Sequence, residues 1–312
     1  MTSAGARLPR FRRATEEAPP LQLTERDTEM MRQVAVHRFL RSSHLVSLVG
    51  GSRQQVLRRL QLLYHHGYLE RPRCQLDYYH QGGSRELVYG LGSRGAAHLR
   101  RRLDIPFHHM DWSGKNQSVG RVFLELALMV SDFFVALEMS CRAYGNVRLL
   151  QSDEIPLPEA TRDRRQPFQW SVYLGGRRKV GIIPDGVFAL EHHDAGGQVR
   201  CVFYFLEADR GTMPVMRERL ERSSIFRKLL AYEATWSQGI HRSRFGWNRF
   251  RVLMLTTNEA RMRHMIEACG TLESGRGLFV FGEVSMLPAP ADLLHELFND
   301  GRGHRTSLLD AA

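Results

Sequence analysis

Two short acidic motifs, each placed after a strand-like run, constrain this chain more than any other feature. Pro184-Asp185-Gly186 follows the apolar run Val180-Gly181-Ile182-Ile183, and Glu207-Ala208-Asp209 follows Cys201-Val202-Phe203-Tyr204-Phe205-Leu206. β-Branched and aromatic runs of this kind favour strands. Side chains along a strand alternate between faces, so Glu207 and Asp209 are expected to point the same way. A strand-end aspartate beside a Glu-x-Asp pair forms an oxygen-rich cluster of the type that holds Mg²⁺ for phosphodiester chemistry. Asp185, Glu207 and Asp209 are therefore candidate catalytic residues, with Asp185 and Glu207 as candidate metal ligands. Asp209 and Arg210 follow Glu207, and Lys228, on a later helix, is a candidate catalytic cation. No cofactor is required unless this site works, in which case the cofactor is Mg²⁺.

The basic charge is concentrated in one segment. The chain carries a net +11, of which residues 21–105 carry +7 and residues 106–312 only +2. That is the distribution of a nucleic-acid-binding module attached to a nearly balanced second domain. Of 44 basic residues, only Lys115, Lys179 and Lys228 are lysines; arginine suits bidentate contacts to phosphate and guanine. No stretch reaches the roughly 18 apolar residues of a membrane span. No leader-like apolar segment follows Arg7, Arg10, Arg12 and Arg13, and a cytoplasmic location is expected. Cys74, Cys141, Cys201 and Cys269 stand 60 or more residues apart, which excludes a zinc knuckle or a CxxC site. A Walker loop, GxSxG, HExxH and the histidine triad of a DNA-nicking relaxase are likewise missing from the sequence.

Residues 1–20 read as a flexible basic arm, and residues 21–105 as a winged helix-turn-helix. Thr24 is placed to cap a first helix, with Met30, Met31, Val34 and then Phe39-Leu40 as its apolar stripe. A second helix, Ser43 to Val49, ends at Gly50-Gly51, and Ser52 with Gln55 has the spacing of a capping box for a third. In that third helix Val56, Leu57, Leu60, Leu63 and Tyr64 share one face, and Gln54, Arg58, Leu62 and His65 lie opposite, with Arg59 at the flank. Arg53, Gln54, Gln55, Arg58 and Arg59 are the candidate DNA contacts of this helix. A hairpin from Leu76 to Leu91, tipped by Gly82-Gly83, is the expected wing, and Arg71, Arg73 and Arg85 would lie along it near phosphates.

Residues 106–117 read as a linker and 118–287 as a second domain. It opens with a mostly apolar helix, Ser118 to Ser140. A strand is expected at Val147–Ile155 and a hairpin strand at Trp170–Leu174, followed by the two acidic strands. A helix at Pro214–Trp236, a strand at Phe250–Thr256, a helix at Glu259–Cys269 and a strand at Leu278–Val284 complete it. Residues 288–312 form a tail with one short helix at most. The overall class is α/β (α+β overall).

The order Pro-Asp, then Glu-x-(Lys), resembles the core of restriction-endonuclease-like domains. Together with the winged helix it resembles the replication-relaxation family of plasmids and mobile elements. The matching residues are Leu128-Met129-Val130-Ser131-Asp132-Phe133, Ile183-Pro184-Asp185-Gly186-Val187-Phe188-Ala189-Leu190, Phe205-Leu206-Glu207-Ala208-Asp209-Arg210-Gly211-Thr212 and Lys228-Leu229-x-x-Tyr232. The resemblance implies a DNA-binding accessory protein that acts in relaxation, replication or mobilisation through a winged helix and an inactive nuclease-like domain. Its partners would be double-stranded DNA and a relaxase, transposase or replication protein, without a membrane; the second domain would dimerise, hold that partner or clamp DNA. The competing readings are an Mg²⁺-dependent DNA endonuclease targeted by its own winged helix, as in transposon end cleavage, and a transcriptional repressor.

Overall fold

The computed structural model describes residues 8–14, 16–76, 86–103, 112–175, 178–193, 196–217, 222–287, 293–295 and 298–310. It has a mixed α/β (α+β overall) fold in two compact units, Met1–Val135 and Ala136–Ala312.

The first unit begins with α1 (Glu25–His37), capped as its sequence suggests. The Asp27 amide donates to the Thr24 hydroxyl at 3.3 Å, and the Thr24 amide donates to the Asp27 carboxylate at 2.7 Å. This reciprocal pair satisfies donors that the helix start leaves without intrahelical partners. Arg38 ends α1 with φ at +66°, a conformation uncommon for a residue with a Cβ. That turn releases Phe39 and Leu40 from the helical stripe predicted for them, and they form β1 (Phe39–Arg41). Helix α2 (Ser42–Val49) leads through Gly50 and Gly51, both at positive φ, into α3 (Arg53–His65). Gly51, at φ +85°, adopts a backbone conformation that residues with a Cβ rarely take. Ser52 makes no side-chain cap bond, so the predicted Ser52/Gln55 box does not form.

Strands β2 (Leu69–Glu70) and β3 (Val88–Leu91) complete a three-stranded sheet in the order β1-β3-β2, antiparallel throughout. β2 is only two residues long, and the Gln75 side chain continues its pairing with β3. Its amide donates to the Val88 carbonyl at 3.0 Å and its oxygen accepts from the Val88 amide at 2.9 Å. The predicted wing tip, with Arg85, lies outside the described residues. Helices α4 (Ser93–Leu103) and α5 (Trp112–Gln117) follow.

Helix α6 (Arg121–Tyr144) was assigned from sequence to the second domain, but its first half belongs to the first unit. Leu124 and Leu128 share a buried cluster with Phe39 and Val88. The Ser131 hydroxyl lies 2.8 Å from the Phe39 carbonyl, and Arg41 and His44 both hold Asp132. The arm expected to be flexible also belongs to the first unit: the Arg13 guanidinium reaches Glu70 at 2.6 Å and the Tyr64 carbonyl at 3.2 Å.

The second unit holds a seven-stranded sheet in the order β12-β11-β10-β9-β8-β7-β4. Its strands are β4 (Val147–Gln151), β7 (Gly186–His193), β8 (Val199–Ala208), β9 (Arg251–Thr256), β10 (Phe279–Glu283), β11 (Phe298–Asp300) and β12 (Arg305–Thr306). β8, β9 and β10 run parallel to one another, and the outer pairs are antiparallel. A separate hairpin, β5 (Trp170–Leu174) and β6 (Arg178–Ile182), comes after the short α7 (Glu159–Arg162). Helices α8 (Ile225–Ser237), α9 (Ile240–Ser243) and α10 (Glu259–Gly270) complete the unit.

Val180–Ile182 therefore pairs with Trp170–Leu174 in the expected hairpin, and does not neighbour the strand that carries Glu207. Asp185 instead stands at the entry to β7, a strand whose buried run Val187–Leu190 lacks the alternation of an edge. The segment beyond Pro288, expected to be at most helical, contributes two short strands. One large core lies beneath the sheet, where Phe205, Val252, Met254 and Phe281 meet Leu229 and Tyr232 of α8 and Met265 of α10.

Candidate functional site

In the first unit the sequence pointed to the outer face of α3. Arg53, Gln54, Gln55 and Arg58 are exposed, while Val56, Leu60, Leu63 and Tyr64 are buried. The face is shorter than a helical projection suggests, because Leu62 and His65 are also buried. His65 Nδ1 accepts from the Ala14 amide at 3.1 Å. Burial, with Arg71 and His66 adding their charges, pushes this histidine down to about 4, so it accepts as a neutral ring. Packing of residues 13 and 14 thus confines the open surface to the first turns of the helix.

Arg59 has a structural role that its spacing did not reveal. Its guanidinium donates to the fully buried Asp27, with Nε at 2.9 Å, and to the Gln22 carbonyl at 2.8 Å. Burial works to raise the Asp27 carboxyl, but the bonds from Arg59 and Thr24 outweigh it and hold it below the usual aspartate range. Arg71 departs further from its predicted place on the wing. It is 4% exposed, stacks over Tyr64 at 4.1 Å and donates to the Tyr89 hydroxyl at 3.1 Å. Arg73 is exposed.

In the second unit β8 delivers Glu207 into the core, where it is 2% exposed. One carboxylate oxygen accepts from Lys228 and the other from the Tyr232 hydroxyl at 2.5 Å. Lys228 and Tyr232 are four residues apart on α8, so one helix face presents both donors to one carboxylate. Asp185 is fixed from the neighbouring strand. Its amide donates to the Leu206 carbonyl at 3.0 Å, and its Oδ2 accepts from the Ala208 amide at 2.9 Å. Burial raises the Asp185 carboxyl, against the pull of Lys228. Burial also raises Glu207, with Lys228 opposing and Asp185 adding to it. Tyr232 is driven well above the usual tyrosine range by burial and by Glu207.

Asp209 does not join them. β8 ends at Ala208, and Asp209, one residue beyond, is held by α10. Arg261 grips Asp209 in a two-pronged pair, with Nη2 donating to Oδ1 at 2.9 Å, and the Thr256 hydroxyl donates to Oδ2 at 2.9 Å. Arg261, 52 residues beyond Asp209, is not legible in the local sequence. Among the described residues no three His, Cys, Asp or Glu side chains come together as a metal-holding group. Beside Glu207 lies a cleft of about 180 Å³, lined by Ile182, Ile183, Met213, Ser223, Arg227 and Lys228 among others. The arrangement thus offers a lysine ammonium, two nearby carboxylates and a shallow opening, with both oxygens of Glu207 already engaged.

Among the described residues no helix is long and apolar enough to cross a membrane. Neither a curated protein nor a solved structure matches the chain. The family model for replication-relaxation matches residues 31–249, from α1 to the loop before β9 and through both acidic motifs, and the chain belongs to that family.

Proposed function

We propose that this protein is a sequence-specific duplex-DNA-binding accessory protein of a plasmid or mobile element, acting in replication or relaxation of that DNA. The first unit serves as a winged helix. The order α1-β1-α2-α3-β2-β3, with β3 between β1 and β2, supports this reading. The observation that carries it is the open first half of α3. Arg53, Gln54, Gln55 and Arg58 project there after a short helix and a two-glycine turn, without a protein partner covering them among the described residues. Arginine and glutamine at the start of a helix match the guanine and adenine edges of a major groove. Binding-site selection from random duplexes, followed by titration of the wild type and Arg58→Ala, tests it.

A second reading, a DNA endonuclease, is favoured by one observation: Lys228 meets Glu207 beside Asp185, so a cation reaches the acids from α8 although the position after Ala208 is Asp209. The acids do not fit a Mg²⁺ site as they stand. Both Glu207 oxygens are taken by Lys228 and Tyr232, and Asp209 is committed to Arg261. A hard cation would need those oxygens released. We expect supercoiled DNA carrying the selected site to remain intact with the wild type in Mg²⁺ or Mn²⁺. Nicking by the wild type that disappears in both Asp185→Ala and Glu207→Ala would establish the endonuclease instead.

A further inference from the structure

β8 is ten residues long, but its two neighbours cover different lengths of it. β7 pairs with it from Val199 to Leu206, whereas β9 joins only at Tyr204, opposite Arg251. Among the described residues, no strand therefore pairs with Val199–Phe203 on the β9 side. The segment that leads into β9, Gly246–Phe250, forms no strand, and Gly246 has a positive φ of 73°. Between the two segments opens a slot of about 460 Å³.

The walls of the slot have a definite chemistry. Arg200 and Arg249 are exposed, and neither has an acidic partner among the described residues. Trp247 is 2% exposed, yet its indole nitrogen finds no acceptor. Its ring stacks on Phe203 at 4.5 Å and 8°, so the aromatic pair is occupied with itself and leaves little open face for a nucleobase. What the slot offers is a run of main-chain donors and acceptors and two guanidinium groups.

We propose that this slot takes an extended acidic segment of a partner protein, added as a strand along Val199–Phe203. Main-chain hydrogen bonds to an open strand edge supply affinity in such additions, and flanking side chains supply selectivity. Acidic side chains of the segment pair with Arg200 and Arg249. The site is separate from the α3 surface, and its test is independent of DNA binding.

The experiment uses the full chain and fluorescence anisotropy with a labelled peptide of alternating aspartate and valine. Its controls are the same peptide with lysine for aspartate, the same peptide N-methylated at alternate residues, and an oligothymidylate. The acidic peptide should bind at least about tenfold more tightly than the lysine or N-methylated forms, and Arg200→Ala with Arg249→Ala should weaken it by about tenfold. Duplex-DNA binding measured on the same samples should be unchanged, and an unchanged urea unfolding midpoint of the double variant reports that the second unit is folded. No binding of the acidic peptide, or equal binding of the N-methylated form, overturns the proposal. Binding of oligothymidylate that is lost in the double variant assigns the slot to nucleic acid and overturns it as well.

Discussion

Arg58 and Arg59 are adjacent on α3, yet only Arg58 is free to face DNA, because Arg59 neutralises the fully buried Asp27. Removing one member of a buried ion pair strands the other charge. Arg59→Ala and Arg261→Ala should therefore each lower unfolding free energy by about 3 kcal/mol or more, measured by urea denaturation. A loss below 1 kcal/mol in either would mean that the pair is not structural. Asp185 makes a pH prediction. Its carboxyl is raised by burial, so the folded state holds the proton more tightly than the unfolded chain does. The stabilisation from that proton is complete below the ordinary aspartate range and is lost as pH rises through the raised value. Asp185→Asn keeps an oxygen for the Ala208 amide and removes the titration. Urea midpoints of the variant should fall less than those of the wild type between pH 4 and 7; parallel curves would contradict the assignment.

At the scale of elements, α6 decides where the first unit ends. Leu124, Leu128, Ser131 and Asp132 complete a core and a polar cluster around β1. A fragment of residues 1–135 should therefore melt cooperatively by circular dichroism, while residues 21–105, which lack α6 and the Arg13 and Ala14 contacts, should not. Equal cooperativity of the two would return the boundary to 106–117. The elements that could be read from the sequence were those with local signals: the Thr24 cap, the Gly50-Gly51 turn and the amphipathic α3. β1 was hidden because Phe39 and Leu40 continue the period of α1, and only the positive φ at Arg38 separates them. β7 was hidden because a strand buried on both faces has no alternation to detect. Around the candidate site, the Lys228 and Tyr232 pairing on one helix face was visible as a four-residue spacing. The Asp209–Arg261 pair was not, since the sheet brings together residues that no local pattern links.

For the whole molecule, the account divides the work between two units. Residues 21–105 carry most of the excess positive charge, and the first unit displays the exposed arginines and glutamines of α3. In the second unit Glu207 is held by Lys228 and Tyr232, and Asp209 by Arg261 and Thr256. Affinity for duplex DNA should accordingly fall steeply with salt, and base discrimination should rest on α3. The most direct measurement is the affinity of wild type and Arg58→Ala for a selected duplex and for duplexes altered at single base pairs, taken at several salt concentrations. The account predicts that Arg58→Ala loses about 1–3 kcal/mol of discrimination at one position of the site while the protein remains folded. Unchanged affinity and unchanged discrimination in that variant would contradict it.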